Sequence, residues 1–281
     1  MVIIQRRVGQ LGNQMFTMAH FAAAAIEHNY FTIFPCFEYP LKYFPNINSC
    51  RHLRVFQAND RLNRSIHRSF KFLRMLVRRS LWHEFYISCG EPFTDVGSDG
   101  FVANARKKIV VCEGFGFRDQ KSILKHAHFV VDLFSLDVTI RQKTNALVSV
   151  YKLDRNVVLV GFHVRRGDYR TYRDGEYFFR DDIWLNWIRQ ARALFGSGMK
   201  RFVGIICSDD RIDKLVASSP DLICGPGDIY EDLVVLSKCN YIIGPPSTFS
   251  GWASFTGRVP ILYVYKGNQD VVLGDFTIVT G

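Results

Sequence analysis

The sequence predicts an α/β fold built from parallel sheets with crossover helices. Short apolar runs alternate with segments of helical spacing along most of the 281 residues. This alternation is typical of parallel sheets, because two parallel strands need a crossover connection, usually a helix. The length is enough for two domains with a core each. We expect domains at residues 1–150 and 151–281, joined within residues 143–156.

The second half contains the clearest elements. Residues 157–164 (VVLVGFHV) form an apolar, β-branched run between polar residues, which indicates a buried strand. The other elements expected in this half are, in chain order, a helix at 182–194, a strand at 202–207, helices at 209–217 and 231–238, a strand at 241–244, a helix at 248–255 and a strand at 260–265.

The first half begins in the same way. A short apolar run at 2–5 predicts a strand, the two glycines at 9–12 predict a tight turn, and the Ala- and Phe-rich run at 14–27 predicts a helix. Further strands are expected at 30–34 and 109–112. The region between these two strands is less regular.

The positive charge of the chain is concentrated in one window. The formal net charge is +10, and residues 51–79 contain nine Arg and Lys against one acidic residue, Asp60. Within this window cationic and apolar residues recur at helical steps on offset faces, which predicts an amphipathic basic helix; the cations are Arg61, Arg64, Arg68, Lys71 and Arg78. A solvated helix face and contact with an anionic membrane surface both remain open, whereas no recognition motif favours nucleic acid.

The number and spacing of the cysteines, together with the hydropathy of the chain, indicate a cellular compartment. The seven cysteines are odd in number, widely spaced and free of C-x-x-C pairs, which favours a reducing compartment. The sequence has neither an apolar run of about 18 residues nor a secretory signal pattern. We therefore expect a cytoplasmic protein, with peripheral contact on the inner face of a membrane as an addition. No metal is expected, since there is no D-x-D pair and no His cluster with ligand spacing.

Three segments are expected just after strands, where open α/β sheets bind ligands. Residues 9–16 (GQLGNQMF) lie between a strand and a helix, where glycines admit a ligand close to the backbone. Residues 163–169 (HVRRGDY) place two arginines at the end of a buried strand. These arginines need an anion or carboxylates nearby. Phosphate binding and structural pairing with Asp168 and Asp181 are both consistent with that requirement.

The third segment combines Ser208, Asp209 and Asp210 after one strand with residues 244–250 (GPPSTFS) after another. An aspartate at a strand end can accept from a purine ring, and Ser247 and Thr248 can donate to a phosphate at a helix start. Capping of the following helix is the alternative role for the two aspartates. Proximity to the arginine segment favours the nucleotide role.

At these residues the sequence resembles the α-1,2-fucosyltransferases, glycosyltransferase family 11. Residues 9–16 resemble its G-x-L-G-N-Q-M-F opening, and residues 163–169 resemble the H-x-R-R-G-D-Y motif shared with α-1,6- and protein-O-fucosyltransferases. Residues 208–210, 247–252 and 113–115 resemble its S-D-D, S-T-F-S-x-W and E-G-Y segments. The five matches are in order and extend over nearly the whole chain.

The resemblance implies an inverting, metal-independent transferase with a GT-B-like fold of two Rossmann-like lobes and an active site in the cleft between them. It implies GDP-fucose as donor, a galactoside hydroxyl on a glycan as acceptor and an α-1,2 linkage, and it leaves open whether that glycan is lipid-linked. The C-terminal lobe would bind the donor and the N-terminal lobe the acceptor.

The implied donor-site residues are Gly9, Gly12, Asn13, His163, Arg165, Arg166, Ser208, Asp209, Asp210, Ser247, Thr248 and Phe249. Arg165 matches the arginine that meets the pyrophosphate, and Asn13 matches an asparagine near the reaction centre. Asp168, Asp174 and Glu176 are the candidates for a general base. Structural pairing with Arg170, Arg173 or Arg180 is the alternative role for these three acids.

The chain departs from the family pattern at Pro246 and Gly251, beside the implied donor pocket. A transferase that uses another nucleotide sugar is therefore an alternative function. A catalytically degenerate protein that binds a membrane surface or nucleic acid through residues 51–79 is a second alternative. The retained arginine pair favours an enzyme, because a degenerate site need not keep buried charges.

Overall fold

The structure is a computed structural model that describes residues 1–5, 9–86 and 93–281. Eight side chains in the helix at 60–76 lie outside that description, and they include two of the cations predicted for the basic helix, Arg64 and Lys71. The chain forms two compact units. The first comprises residues 1–137 with 280–281, and the second residues 138–279.

The first unit contains a five-stranded parallel sheet. Its strands are β1 (Val2–Ile4), β2 (Thr32–Phe37), β3 (Leu53–Gln57), β4 (Trp82–Tyr86) and β6 (Ile109–Glu113), in the order β3-β2-β1-β6-β4. A separate parallel pair consists of β5 (Thr94–Asp95) and β7 (Phe117–Arg118). The helices are α1 (Leu11–His28), α2 (Asp60–Leu76), α3 (Asp99–Lys107), α4 (Gln120–Lys125) and α5 (Ala127–Leu133).

The second unit contains another five-stranded parallel sheet. Its strands are β8 (Val157–Val164), β9 (Arg201–Ser208), β10 (Leu222–Cys224), β11 (Tyr241–Gly244) and β12 (Ile261–Tyr263), in the order β10-β9-β8-β11-β12. The helices are α6 (Val138–Lys152), α7 (Asp181–Phe195), α8 (Asp213–Val216), α9 (Ile229–Leu236) and α10 (Thr248–Gly257). Short 3-10 segments occur at Leu41–Tyr43, Arg79–Leu81, Asp168–Arg170, Tyr172–Gly175 and Leu273–Asp275. The predicted α/β class with parallel sheets is confirmed.

Several local predictions need correction. The tight turn expected at 9–12 is shorter, because α1 already begins at Leu11 and includes Gly12 and Asn13 in its first turn. The helix expected at 209–217 begins only at Asp213. The strand expected at 260–265 is limited to β12, and five short strands were not predicted: β3, β4, β5, β7 and β10. The basic helix is present as α2, between a strand and a 3-10 turn, but it ends at Leu76, so Arg78 lies beyond it.

Helix α6 covers most of the predicted joint and belongs to the second unit. Lys143 Nζ lies 2.6 Å from Glu231 Oε1 on α9, and Lys238 donates to Asn145. The division between the units therefore falls at 137/138, whereas the sequence suggested 150/151.

Aromatic packing beneath the second sheet holds the central strand in place. Trp184 and Trp187 on α7 are fully buried, with ring centroids 5.1 Å apart, and they belong to one core with Phe162 and Val164 of β8. Burial of such side chains supplies most of the packing free energy of a domain. Strand β8 is consequently packed into this core up to its last residue, Val164. Among the described helices, none is both long and apolar enough to cross a membrane.

Candidate functional site

The carboxyl ends of three adjacent strands bring together most of the predicted site residues of the second unit. Strand β8 lies between β9 and β11 in the sheet, so residues 163–168, 208–210 and 244–249 follow neighbouring strand ends. The chain order reverses at β8, and ligands of open α/β sheets bind outside the carboxyl ends of strands at such a reversal.

Arg165 directly follows β8 and is held by a bidentate ion pair. Its Nε and Nη2 donate to the two carboxylate oxygens of Asp168 at 3.0 and 2.9 Å, and Nη1 lies 3.5 Å from the Ser247 Oγ. Burial acts to lower the pKa of Arg165, but the Asp168 carboxylate outweighs burial and the net shift is upward. The guanidinium is therefore a permanent cation whose third nitrogen faces the start of α10.

Arg166 points to a different acid. Its Nη2 donates to Asp181 at the start of α7, and Nη1 lies 3.5 Å from the carbonyl oxygen of Arg211. Nε is buried without a hydrogen-bond partner among the described residues. The pairing with Asp168 and Asp181 that the sequence offered as an alternative is therefore present. It occupies two nitrogens of Arg165 and leaves Nη1 directed at Ser247.

The Asp209 side chain binds a backbone N–H group in a neighbouring loop and does not cap a helix. Its Oδ1 accepts from the Arg166 N–H at 2.7 Å, so helix capping is wrong for this residue. A Cβ at position 167 would lie 2.8 Å from Asp209 Oδ2, so a larger residue there would displace this carboxylate. Asp209 thus fixes the turn that follows β8.

Asp210 and Ser208 form a neighbouring polar group. Asp210 Oδ2 accepts from Arg170 at 2.5 Å, and its other carboxylate oxygen accepts from the Arg211 N–H at 2.8 Å. These contacts, the backbone N–H first, lower the pKa of Asp210. Ser208 Oγ accepts from the Asp210 N–H at 3.2 Å.

His163 is the buried polar residue at the end of β8. Burial lowers its pKa to about 3, with a smaller contribution from Arg165, so the ring is neutral at physiological pH. The ring centroid lies 5.1 Å from that of Phe249, and Nδ1 is buried without a hydrogen-bond partner among the described residues. A neutral imidazole with an unsatisfied nitrogen can bind a further polar group.

Ser247 caps α10. Its Oγ accepts from the Phe249 N–H at 3.2 Å, and α10 starts at Thr248, so the positive end of this helix adjoins Arg165. Tyr169 donates its hydroxyl hydrogen to the Pro246 carbonyl and ties the loop after β8 to the loop after β11. A cationic side chain, a serine hydroxyl and a helix N-terminus at one place suit a phosphate group.

The weaker acid candidates lie on the surface. Asp174 is exposed and adopts a left-handed backbone conformation, with φ at 56°. Glu176 is exposed, and its Oε2 lies 3.8 Å from Arg173 Nη1, which is the structural pairing considered as its alternative role. Asp168 pairs with Arg165 rather than with Arg170, which contacts Asp210.

Gly9, Gly12 and Asn13 belong to the first unit. Gly9 has a φ of 68° and a Cβ there would lie 1.8 Å from Asn13 Nδ2, so the turn requires glycine. The buried Gln14 donates to the Gly9 carbonyl at 3.1 Å and to Glu38 Oε2 at 3.2 Å. The predicted residues of this segment are thus close to one another at the start of α1.

Sequence reasoning missed Asp232 on α9. Its carboxylate is buried and accepts from the Gly227 N–H at 3.0 Å, which secures the loop after β10. Burial raises its pKa to about 7. An aspartate within the apolar run of a helix was the available signal. Among the described residues, no group of three or more His, Cys, Asp and Glu could hold a metal ion.

Comparison with known proteins supports a common fold. A family model for glycosyl transferase family 11 matches residues 119–270. The structure is similar to fucosyltransferase NodZ from Bradyrhizobium, at 18% identity over 93% of this chain and 94% of that chain, with a TM-score of 0.56. A structure of NodZ alpha-1,6-fucosyltransferase soaked with GDP-fucose is 17% identical, again over 93% of this chain and 94% of that chain, with a TM-score of 0.55.

A mutant of Arabidopsis thaliana FUT1 in complex with GDP is also similar, at 13% identity over 98% of this chain and 72% of that chain, with a TM-score of 0.61. POFUT1 in its apo form is 12% identical over 93% of this chain and 96% of that chain, with a TM-score of 0.55. No curated protein matches the chain significantly in sequence. The predicted family and its relatives are confirmed.

Proposed function

The chain belongs to glycosyl transferase family 11, and from this premise we propose that it transfers L-fucose from GDP-fucose to a galactoside hydroxyl of a glycan. The proposed linkage is α-1,2, formed with inversion at the anomeric carbon. NodZ, which shares the fold, has been soaked with GDP-fucose, and this supports the choice of donor. The proposed architecture is GT-B-like, with the acceptor bound by the N-terminal lobe and the donor by the C-terminal lobe.

The observation that carries the proposal is the position of Arg165 beside Ser247 and the start of α10. Cleavage of the bond between fucose and GDP places negative charge on a β-phosphate oxygen. A fixed guanidinium and a helix N-terminus stabilise this charge most in the transition state. In this proposal these groups, and not a metal ion, meet the diphosphate charge.

The remaining residues are assigned in keeping with their surroundings. His163, neutral and unsatisfied, would contact guanosine together with Ser208, Asp209 or Asp210. The Arg166 side chain would support the same turn, and Thr248 and Phe249 would contact the phosphates along with Ser247. Gly9, Gly12 and Asn13 would approach the donor from the N-terminal lobe, with Asn13 near the reacting carbon. We propose that the general base for the acceptor hydroxyl is one of three carboxylates: Asp168, Asp174 or Glu176.

Thermal unfolding with a panel of nucleotides tests this function. We expect GDP and GDP-fucose to raise the Tm, since a ligand at 100 times its Kd adds about 2.7 kcal/mol to the unfolding free energy. UDP-sugars are expected to leave the Tm unchanged. Stabilisation by GDP-mannose with none by GDP-fucose would favour another nucleotide sugar, the alternative raised by Pro246 and Gly251. No shift with any guanine nucleotide at low or high salt would favour a degenerate protein.

We further propose that α2 brings the protein to an anionic membrane surface. The exposed side chains of α2 include Arg61 and Arg68, together with Phe72, Met75 and Leu76, which are 63%, 81% and 68% exposed. At 100° per residue, these five positions fall within an arc of about 100°. Cations interleaved with exposed apolar groups suit the headgroup region of an anionic bilayer. A cytoplasmic enzyme placed in this way could act on a lipid-linked glycan.

Co-sedimentation with vesicles of phosphatidylglycerol and phosphatidylcholine tests the membrane proposal. We expect the vesicle partition coefficient to fall by up to about 10³-fold when Arg61, Arg64, Arg68 and Lys71 are all replaced by Gln, because each lost cation removes about 1 kcal/mol near such a surface and four remove about 4 kcal/mol. The matched control replaces Lys152, Arg155, Lys200 and Arg201, four exposed cations of the second unit. Binding that is equal for both variants contradicts the proposal.

A further inference from the structure

A cluster of tyrosines lies at the carboxyl edge of the second sheet, beside Arg165. The tyrosine cluster consists of Tyr169, Tyr172, Tyr177, Tyr263 and Tyr265. The Tyr169 and Tyr172 rings are stacked, with centroids 5.4 Å apart. Tyr177 lies 6.2 Å from Tyr169 and 6.4 Å from Tyr265, so the cluster is continuous. The guanidinium of Arg165 lies over the Tyr169 ring at 4.7 Å.

The cluster occupies one side of the candidate phosphate site. Across the sheet, Asp209 and Asp210 follow β9, and Arg165 and Ser247 follow β8 and β11. Tyr263 ends β12, the next strand, and its hydroxyl donates to the Ser247 carbonyl oxygen at 3.4 Å. Tyr169, Tyr172 and Tyr177 follow β8 together with Arg165, whereas Tyr263 and Tyr265 lie at the end of β12. The edge thus presents acids on the β9 side, then an arginine with a helix start, with aromatic rings beside that arginine and at β12. A nucleoside diphosphate sugar has the same order of parts: base, diphosphate and sugar.

The inner rings are buried and the outer rings are not. Tyr169 and Tyr177 are buried, whereas Tyr172 is 46% and Tyr265 is 51% exposed. Tyr172 is followed by three consecutive residues in the left-handed region, Arg173, Asp174 and Gly175, with φ values of 48°, 56° and 79°. At Arg173 and Asp174, which carry a Cβ, this conformation is strained, and such strain persists only where the surrounding structure maintains it. The turn follows directly on Tyr172, whose ring is stacked on that of Tyr169.

We propose that the tyrosine cluster binds the sugar ring of the donor, with Tyr172 and Tyr265 as the contacting residues. This inference rests on the proposed function. A 6-deoxyhexose presents a face of C–H groups and a methyl group, and tyrosine offers a large, rigid apolar ring with a polar tip. The sugar packs against the exposed rings while its hydroxyl groups remain available to polar partners. The cluster then distinguishes the sugar nucleotide from the free nucleotide.

Calorimetric titration of GDP and GDP-fucose tests the inference, with Tyr172→Ala and Tyr265→Ala measured beside the wild type. We expect wild-type protein to bind GDP-fucose more tightly than GDP. In at least one alanine variant this preference falls about 3–10-fold, while the Kd for GDP changes less than twofold. Tyr172→Phe keeps the ring and retains the preference. Leu153→Ala, which removes an exposed apolar side chain before β8, is the matched control.

The outcomes separate this inference from the proposed function. Wild-type protein that fails to bind GDP overturns the proposed function, and the inference with it. Binding of GDP with no preference for GDP-fucose, or a preference unchanged in both alanine variants, overturns the inference alone. A rise in acceptor KM with an unchanged preference assigns the cluster to the acceptor and likewise overturns it. A Tm close to that of the wild type establishes that each variant is folded.

Discussion

Replacement of Arg165 by alanine is expected to lower kcat by about 10²–10³, which is the effect of deleting one preorganised donor to a developing oxyanion. The guanidinium is held by Asp168 through Nε and Nη2, with Nη1 directed at Ser247 and the start of α10. It is therefore in place before the donor arrives. The measurement is steady-state turnover of GDP-fucose by purified protein, with folding checked by thermal unfolding.

Arg165→Lys is expected to recover little of the lost turnover. A lysine ammonium cannot make the two parallel hydrogen bonds to Asp168, so the position of the charge is no longer fixed. Arg189→Ala is the matched control, because Arg189 is an exposed arginine of α7 whose Nη1 donates to Asn186 Oδ1 at 3.4 Å. Near-normal turnover by Arg165→Ala would remove this residue from the catalytic machinery.

The free energy of unfolding of the Asp232→Asn variant is expected to depend less on pH, between about pH 4 and 7, than that of the wild type. Burial raises the pKa of the Asp232 carboxyl to about 7 in the folded protein, against about 3.9 in an unfolded chain. The folded state thus retains a proton that the unfolded state has released. The wild type loses stability relative to the variant as pH rises through this window, by about 1.4 kcal/mol per pH unit at most.

Urea unfolding of both proteins at a series of pH values measures this difference. Asparagine keeps the acceptor for the Gly227 N–H, so the loop after β10 stays in place. Other titrating residues, such as His163, are common to both proteins and largely cancel. The unfolding free energy of the wild type minus that of the variant should fall by about 2–4 kcal/mol as the pH rises from about 4 to 7, and it should level off above pH 7. Parallel pH profiles would contradict a buried carboxyl with a raised pKa.

The local sequence pattern was sufficient to predict an element where the segment carries a single strong helix or strand signal. The apolar, β-branched run at 157–164 is β8 with the predicted bounds, and the helix predicted at 182–194 is α7 within one residue at each end. The H-x-R-R-G-D-Y motif identified the strand end that carries Arg165 and Arg166. Such segments are determined by periodicity and by residues within a few positions, which a single sequence shows directly.

Local pattern failed where the outcome depends on distant residues. Two acids after a strand resemble a helix start, but Asp209 instead accepts from the Arg166 N–H, 43 positions away along the chain. The short strands β3 (LRVFQ) and β4 (WHEFY) mix apolar with charged or polar residues over only five positions, and they are completed by pairing with β2 and β6. Strand formation in such segments depends on the neighbouring strand rather than on intrinsic preference.

The sequence by itself determined the fold class, the family and the strand end at which two arginines lie, because these follow from periodicity and from motifs of adjacent residues. Only the tertiary structure decided how the arginines are used. It pairs Arg165 with Asp168 and Arg166 with Asp181, and it directs one nitrogen of Arg165 at Ser247. It also collects tyrosines from two separate segments beside that arginine. Contacts between residues far apart in the chain are set by the order of strands in the sheet, which no local pattern specifies.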